Sequence, residues 1–275
     1  MHYPVFNSSG KLGNFLNLVR KVRQVWINSD ATCIGDECPP WFRGQGEASW
    51  GLVPRIYRPQ FASADEKELR HEFQSSAVQL VGPTGPRNKW DWYFLMQHYG
   101  APTRLLDWTI NPLVALFFAL EDRSQTKATS DAAVWAIDPW WLNKSQFSGV
   151  EGPLLPDWEE TQKFLPDLED AFAGRSVRHS LPAAVEPPHV DDRLSAQGAR
   201  FVVFGTAKDL ARTALARGVR GKHKIREIRL CKIIIPARAA GKLLKELDQI
   251  GVNRAVLFPD LGGLAAHLSY RWTKY

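Results

Sequence analysis

Cysteine is scarce, with three in 275 residues: Cys33, Cys38 and Cys231. So small and odd a count argues against a disulfide framework and fits a reducing cytoplasm, the expected location. Cys33 and Cys38 have no second Cys/His pair at finger spacing, so no metal is expected. No apolar run reaches the length needed to span a bilayer. The opening residues, Met1-His2-Tyr3-Pro4-Val5-Phe6-Asn7, lack the basic start and apolar stretch of a signal peptide, and no membrane partner is expected. There is no internal repeat and no low-complexity tract. Familiar signatures are missing too: no Walker loop, no G-x-G-x-x-G after a strand, no His-Glu-x-x-His and no Gly-x-Ser-x-Gly.

What is present is ordinary in bulk and unusual in detail. A chain with 44% hydrophobic and 23% charged residues, at this length, can bury a substantial core without staples. Eleven tryptophans supply much of that core area. The net charge of +6 permits contact with a polyanion. The basic residues are scattered, the densest group being Arg212, Arg217, Arg220, Lys222, Lys224, Arg226 and Arg229.

Hydrophobic spacing predicts an amphipathic helix over 11–29, with Leu12, Phe15, Leu16, Val19, Val22 and Trp26 on one face. Further helices are predicted over 65–81, with Ser63 or Asp65 as cap, and over 90–99. Another starts at Asn111-Pro112, since proline is tolerated at the first helical position. Strands are predicted at 41–45, 133–137, 199–204 and 228–235, with a short one at 252–257. Pro236 opens a helix to about Gln249, and Asp260 caps a last one. Residues 145–192 hold six prolines and read as an irregular excursion or lid, with a short helix near 157–164. The expected class is α+β, a mixed or antiparallel sheet core flanked by helices, in a single domain over 1–275 with residues 1–40 as an N-terminal helix and turn.

Three stretches concentrate polar chemistry. In Trp41-Phe42-Arg43-Gly44-Gln45 an arginine on a strand between aromatics offers a rigid fork for phosphate or carboxylate. Gly44 beside it allows close approach of a ligand to the backbone. Gln97-His98-Tyr99-Gly100-Ala101-Pro102-Thr103-Arg104-Leu105-Leu106-Asp107-Trp108-Thr109 reads as a punctuated loop between buried helices, with His98, Arg104 and Asp107 charged or titratable. Arg104 and Asp107 pairing with each other is the structural alternative. Arg193 and Gln197-Gly198 stand just before a strand, where the Gln197 amide can read a ligand.

These blocks resemble the FRG domain. Trp41–Gln45 followed by Ser49-Trp50-Gly51-Leu52-Val53-Pro54-Arg55 is similar to the motif that names it, and Gln97–Thr109 continued by 111–119 to its second and most specific block. Arg193, Gln197-Gly198 and Phe201 resemble the third, and Leu257 to Ala265 the closing segment. Ala196 stands where a second glutamine is expected, and Gly262 where an acidic residue is. The layout also resembles, more loosely, ADP-ribosyltransferases. That likeness implies an NAD-consuming transferase or glycohydrolase, with NAD as substrate and a toxin or anti-phage role as context. Under it His98, Asp107 and Gln197 are the expected catalytic residues. Arg43, Gly44, Gln45, Arg104, Trp108, Thr109 and Arg193 are the expected ligand contacts. The chain lacks that group's Ser-Thr-Ser stretch, and its third block has no Glu-x-Glu or Gln-x-Glu. Two other functions are compatible with the same residues: a nucleic-acid binder or nuclease, and a nucleotide sensor without turnover. A nucleic acid or a protein is the expected macromolecular target.

Overall fold

The computed structural model describes residues 3–27, 38–62, 65–81, 85–121, 129–165, 181–187, 192–213 and 229–273. Where the chain is apolar at consecutive positions, it forms strands buried on both faces. The clearest are β4 (Ala132–Ile137) and β7 (Leu230–Ile235), whose side chains are almost all enclosed. With β1 (Val5–Asn7), β2 (Trp41–Gln45), β3 (Leu105–Thr109), β5 (Ala183–Val185) and β6 (Ala199–Val203) they make one mixed sheet ordered β1-β7-β4-β2-β3-β6-β5. Only β1 runs parallel to its neighbour, β7. The α+β expectation holds.

The ladder has one weak place. β2 pairs with β4 through five residues and β3 with β6 through five, but β2 and β3 share a single bridge, Phe42 opposite Thr109. The sheet is therefore two half-sheets joined at one point.

The helices follow from their periodicity and caps. They are α1 (Leu12–Ile27), α2 (Glu66–Ala77), α3 (Lys89–His98), α4 (Pro112–Leu120), α5 (Pro139–Gln146), α6 (Glu159–Gln162), α7 (Asp192–Gln197), α8 (Ala240–Gln249), α9 (Arg254–Leu257) and α10 (Leu261–Trp272). Asp65 caps α2, Asn111 caps α4 with Pro112 in its first turn, and Asp260 caps α10. Each such cap contributes about 1 kcal/mol.

One face of the sheet carries two separate apolar clusters. Over β7, β4 and β2, residues Phe42, Val134, Ile233 and Ile235 pack against α1, α4 and α8. Over β3, β6 and β5, residues Leu105, Phe201 and Val203 pack against α3 and Leu194. The opposite face holds one cluster that crosses both halves, including Trp41, Trp135, Leu106, Trp108, Val202 and Phe204. That shared layer keeps the half-sheets together, each fully buried large side chain contributing about 1.5–3 kcal/mol.

Several expectations change. Leu105–Thr109 is a strand in mid-sheet rather than a loop, because its neighbours Leu105, Leu106 and Trp108 are buried on alternate faces of the ladder. Within 145–192 the described residues include the edge strand β5, which extends the sheet, and the expected short helix, α6; residues 166–180 and 188–191 lie outside the described residues. Residues 254–257 form a helical turn rather than a strand, because the Asn253 side chain accepts from the Val256 amide and starts a helix. Of the basic group, Arg229 is buried and ion-paired to Asp138 at 2.6 Å, and 214–228 lie outside the described residues. The cysteines depart from expectation as well: the count argues against a disulfide framework, yet Cys38 is disulfide-bonded, while Cys231 is free and buried.

Candidate functional site

Where β2 and β3 part, a cavity of about 360 Å³ opens. It is lined by consecutive residues of both strands, Phe42, Arg43 and Gly44 on one side and Leu105 to Thr109 on the other. Successive strand residues point to opposite faces, so a pocket lying on the sheet would meet only every second one. This cavity enters the sheet itself. Its remaining wall comes from the end of α3 (Gln97, His98, Gly100, Ala101), from α4 (Ala115, Phe118), from Arg55 and Arg58, and from Arg193, Leu194 and Gln197 of α7 with Ala199 and Phe201 of β6. Its volume lies at the lower end of the roughly 300–1,000 Å³ typical of ligand pockets.

Charge is unevenly distributed there. Arg43, Arg55, Arg58 and Arg193 line the cavity with one carboxylate, Asp107. Arg43 fills the gap left by the missing ladder: its Nη1 donates to the Asp107 backbone oxygen at 2.7 Å and to Asp107 Oδ2 at 3.4 Å. The Arg43 side chain is only 14% exposed, and its Nε is buried without a partner. Burial pushes its pKa down, Asp107 opposes that, and Arg58 adds to it. Like charges in a partly desolvated space repel, and a bound anion relieves that repulsion.

Asp107 is oriented but open. The Gln97 amide donates to Oδ1 at 2.8 Å, and the Asp107 side chain remains 57% exposed. Gln97 is held in turn by the hydroxyl of Thr103, which donates to its Oε1 at 2.5 Å and accepts from the Leu105 amide at 3.0 Å. Thr103 is fully buried. A three-residue relay thus runs from backbone to carboxylate, fixing which way the carboxylate faces.

Of the ten residues singled out in the sequence, eight line this cavity: Arg43, Gly44, His98, Asp107, Trp108, Thr109, Arg193 and Gln197. Several have other tasks as well. At Gly44 a Cβ would lie 2.0 Å from the Ala115 carbonyl oxygen and 2.5 Å from the Ala119 amide, so helix α4, rather than a ligand, makes the close approach. Trp108 is buried in the core of the far face. Thr109 donates to the Gln197 carbonyl at 2.6 Å and accepts from the Asn111 amide at 3.0 Å. The Gln197 side-chain amide donates to the Leu257 carbonyl at 2.9 Å, tying α7 to α9. Arg193 lies over the Phe258 ring, 4.2 Å from its centroid. His98 packs edge-on against Tyr99.

Two expected contacts are not at the cavity. Gln45 shares Arg43's side of β2 but is buried farther along it, where it donates to the Gly51 carbonyl at 2.9 Å and accepts from Trp135 Nε1 at 2.7 Å. Arg104 is fully buried, with its Nε on Glu66 Oε2 at 2.5 Å; it pairs with neither a ligand space nor Asp107. Four polar residues were missed: Arg55, Arg58, Gln97 and Thr103. Arg55 and Gln97 stand inside the recognised blocks, so their positions offered a signal. Arg58 offered none beyond its charge.

Residues 39–129, which contain the first two blocks, match the FRG domain. No curated protein and no solved structure matches the chain. Among the described residues no helix is long and apolar enough to cross a membrane.

Proposed function

We propose, from the premise that residues 39–129 form an FRG domain, that the cavity at the β2–β3 seam takes a nucleotide and that the chain consumes NAD, as a transferase or glycohydrolase resembling ADP-ribosyltransferases. The observation that carries this reading is the meeting of four arginines with a single oriented, half-exposed carboxylate in one cavity. Guanidinium forks suit phosphate oxygens. The lone carboxylate suits the cation that develops on a ribose as its glycosidic bond breaks.

In the proposed reaction the bond from ribose C1′ to the nicotinamide nitrogen breaks, and its electron pair leaves with neutral nicotinamide. Asp107, held by Gln97 and Arg43, stabilises the oxocarbenium charge at C1′ or orients a ribose hydroxyl. Water, or a nucleophile on a nucleic acid or protein target, then bonds to C1′ and releases its proton to solvent. His98 stands at the rim, suited to contact the nicotinamide or ribose. Gln197 contributes by holding α7 against Leu257, a positioning role rather than a chemical one. An enzyme of this kind would deplete a cell of NAD, in keeping with a toxin or anti-phage effector.

The test is NAD consumption by the purified chain beside Arg43→Ala and Asp107→Asn. The expected result is loss of NAD with the wild type and neither variant. No consumption, with or without nucleic acid or cell extract, would sink the reading. A second reading, a sensor that binds a nucleotide without turnover, is favoured by the engagement of Gln197 and Thr109 in structural hydrogen bonds. It expects saturable binding and no product.

A further inference from the structure

We propose that Arg55 and Arg58 form a subsite for a diphosphate, and that Arg43 serves Asp107 rather than the phosphates. The assignment deepens the nucleotide reading and rests on it. Arg43 already has a task. Its Nη1 bonds the Asp107 backbone and reaches the carboxylate, and its side chain is largely enclosed. Such a guanidinium braces the seam and aims the carboxylate.

Arg55 and Arg58 are placed differently. They sit on two successive 3₁₀ turns, Arg55–Tyr57 and Pro59–Phe61, with Arg58 as the extended joint at φ −78° and ψ 153°. The support is stiff. Pro54 and Pro59 limit the backbone. Ile56 is buried and its amide donates to the Thr103 carbonyl at 3.3 Å, and the Tyr57 hydroxyl donates to the Gly205 carbonyl. Each arginine is steadied through one nitrogen: Arg55 Nη1 on the Gly100 carbonyl, Arg58 Nε on the Val53 carbonyl at 3.4 Å. Arg55 also leans on the Phe61 ring, 5.5 Å from its centroid. Among the described residues neither forms an ion pair with a carboxylate, yet both line the cavity. Two guanidiniums held three residues apart, with donors to spare and, among the described residues, only the Asp107 carboxylate lining the cavity with them, call for an anion with two charged groups. Burial and the neighbouring Arg55 lower the Arg58 pKa while Asp107 opposes them, and a second negative charge would relieve the remaining repulsion.

The experiment is calorimetric titration with inorganic pyrophosphate, and with ADP beside adenosine, on wild type, Arg55→Gln, Arg58→Gln and Arg43→Gln. The melting temperature of each serves as a folding check. Wild type is expected to bind pyrophosphate and to prefer ADP over adenosine. Arg55→Gln and Arg58→Gln should each weaken pyrophosphate about ten- to hundredfold, the loss of one charge-assisted contact. Arg43→Gln should cost less than Arg58→Gln. If Arg55→Gln does not fold, Arg58→Gln carries the test alone. Wild-type affinity in Arg58→Gln, no pyrophosphate binding by wild type, or a larger loss at Arg43→Gln would overturn the proposal. NAD consumption, measured separately, distinguishes the two readings. Arg58-dependent pyrophosphate binding without turnover keeps the subsite and removes the enzyme. Turnover without that dependence does the reverse.

Discussion

Two arginine–carboxylate pairs flank the start of β3, and they differ in almost every respect. Arg104 and Glu66 are both enclosed, and the Glu66 carboxylate accepts from the Arg104 Nε, the Arg104 amide and the Tyr93 hydroxyl. Arg43 and Asp107 meet at 3.4 Å with the carboxylate half in solvent, its other oxygen held by a glutamine. The first pair locks the start of α2 to the start of β3. The second leaves a charged group fixed in direction and still reachable. Arg104 and Asp107 stand three positions apart, so block membership alone does not tell a latch from a site. What tells them apart is access to solvent: both side chains of the first pair are enclosed, and the Asp107 side chain is 57% exposed.

Breaking the latch should have the largest effect. Glu66→Ala leaves Arg104 buried without its counter-charge and should cost about 3–5 kcal/mol in urea unfolding. Next comes the relay. Thr103→Val removes a buried hydroxyl that both donates and accepts, at about 1–3 kcal/mol, and under the proposed chemistry lowers NAD turnover by freeing Gln97 from its orientation. Third, burial raises the Tyr57 pKa from 10.0 to about 12. A phenol kept neutral by the fold stabilises fully below pH 10 and loses that contribution as pH rises through about 12. Tyr57→Phe should lose about 1 kcal/mol near neutrality, from its bond to Gly205, and flatten the alkaline fall in stability over that window. The smallest stability effect belongs to the open pair: Asp107→Asn should change unfolding by under about 1 kcal/mol while abolishing turnover. A large loss of stability at Asp107→Asn would make the second pair a latch as well.

Much of the fold was readable from spacing and caps. The α1 stripe, the Asp65 and Asp260 caps and the Asn111-Pro112 start all lie where periodicity and capping chemistry put them. β3 was harder, because a carboxylate in mid-strand and a preceding Gly/Pro cluster both read as loop. The reason Asp107 is tolerated there is tertiary: the strand on that side has drawn away, and Arg43 takes the place of the neighbour. The residues of the site were visible as types, but their partners were not. Gln45 and Arg104 stand within the same short blocks as Arg43 and Asp107 and are still taken up elsewhere: Gln45 shares Arg43's side of β2 but is held by Gly51 and Trp135, and Arg104 is held by Glu66. Arg58 joins the cavity only through the path of the two 3₁₀ turns.

The single bridge between β2 and β3 also gives the protein an intrinsic isotope reporter. Amide hydrogens that face the seam have no ladder partner on the opposite strand beyond Phe42 and Thr109, and they border the cavity. They can trade with deuterium while the half-sheets stay folded, whereas those in the β4–β7 ladder must wait for a larger opening. Slowed labelling of β2 and β3 alone would therefore register occupancy of the cavity by any molecule, before its identity is known.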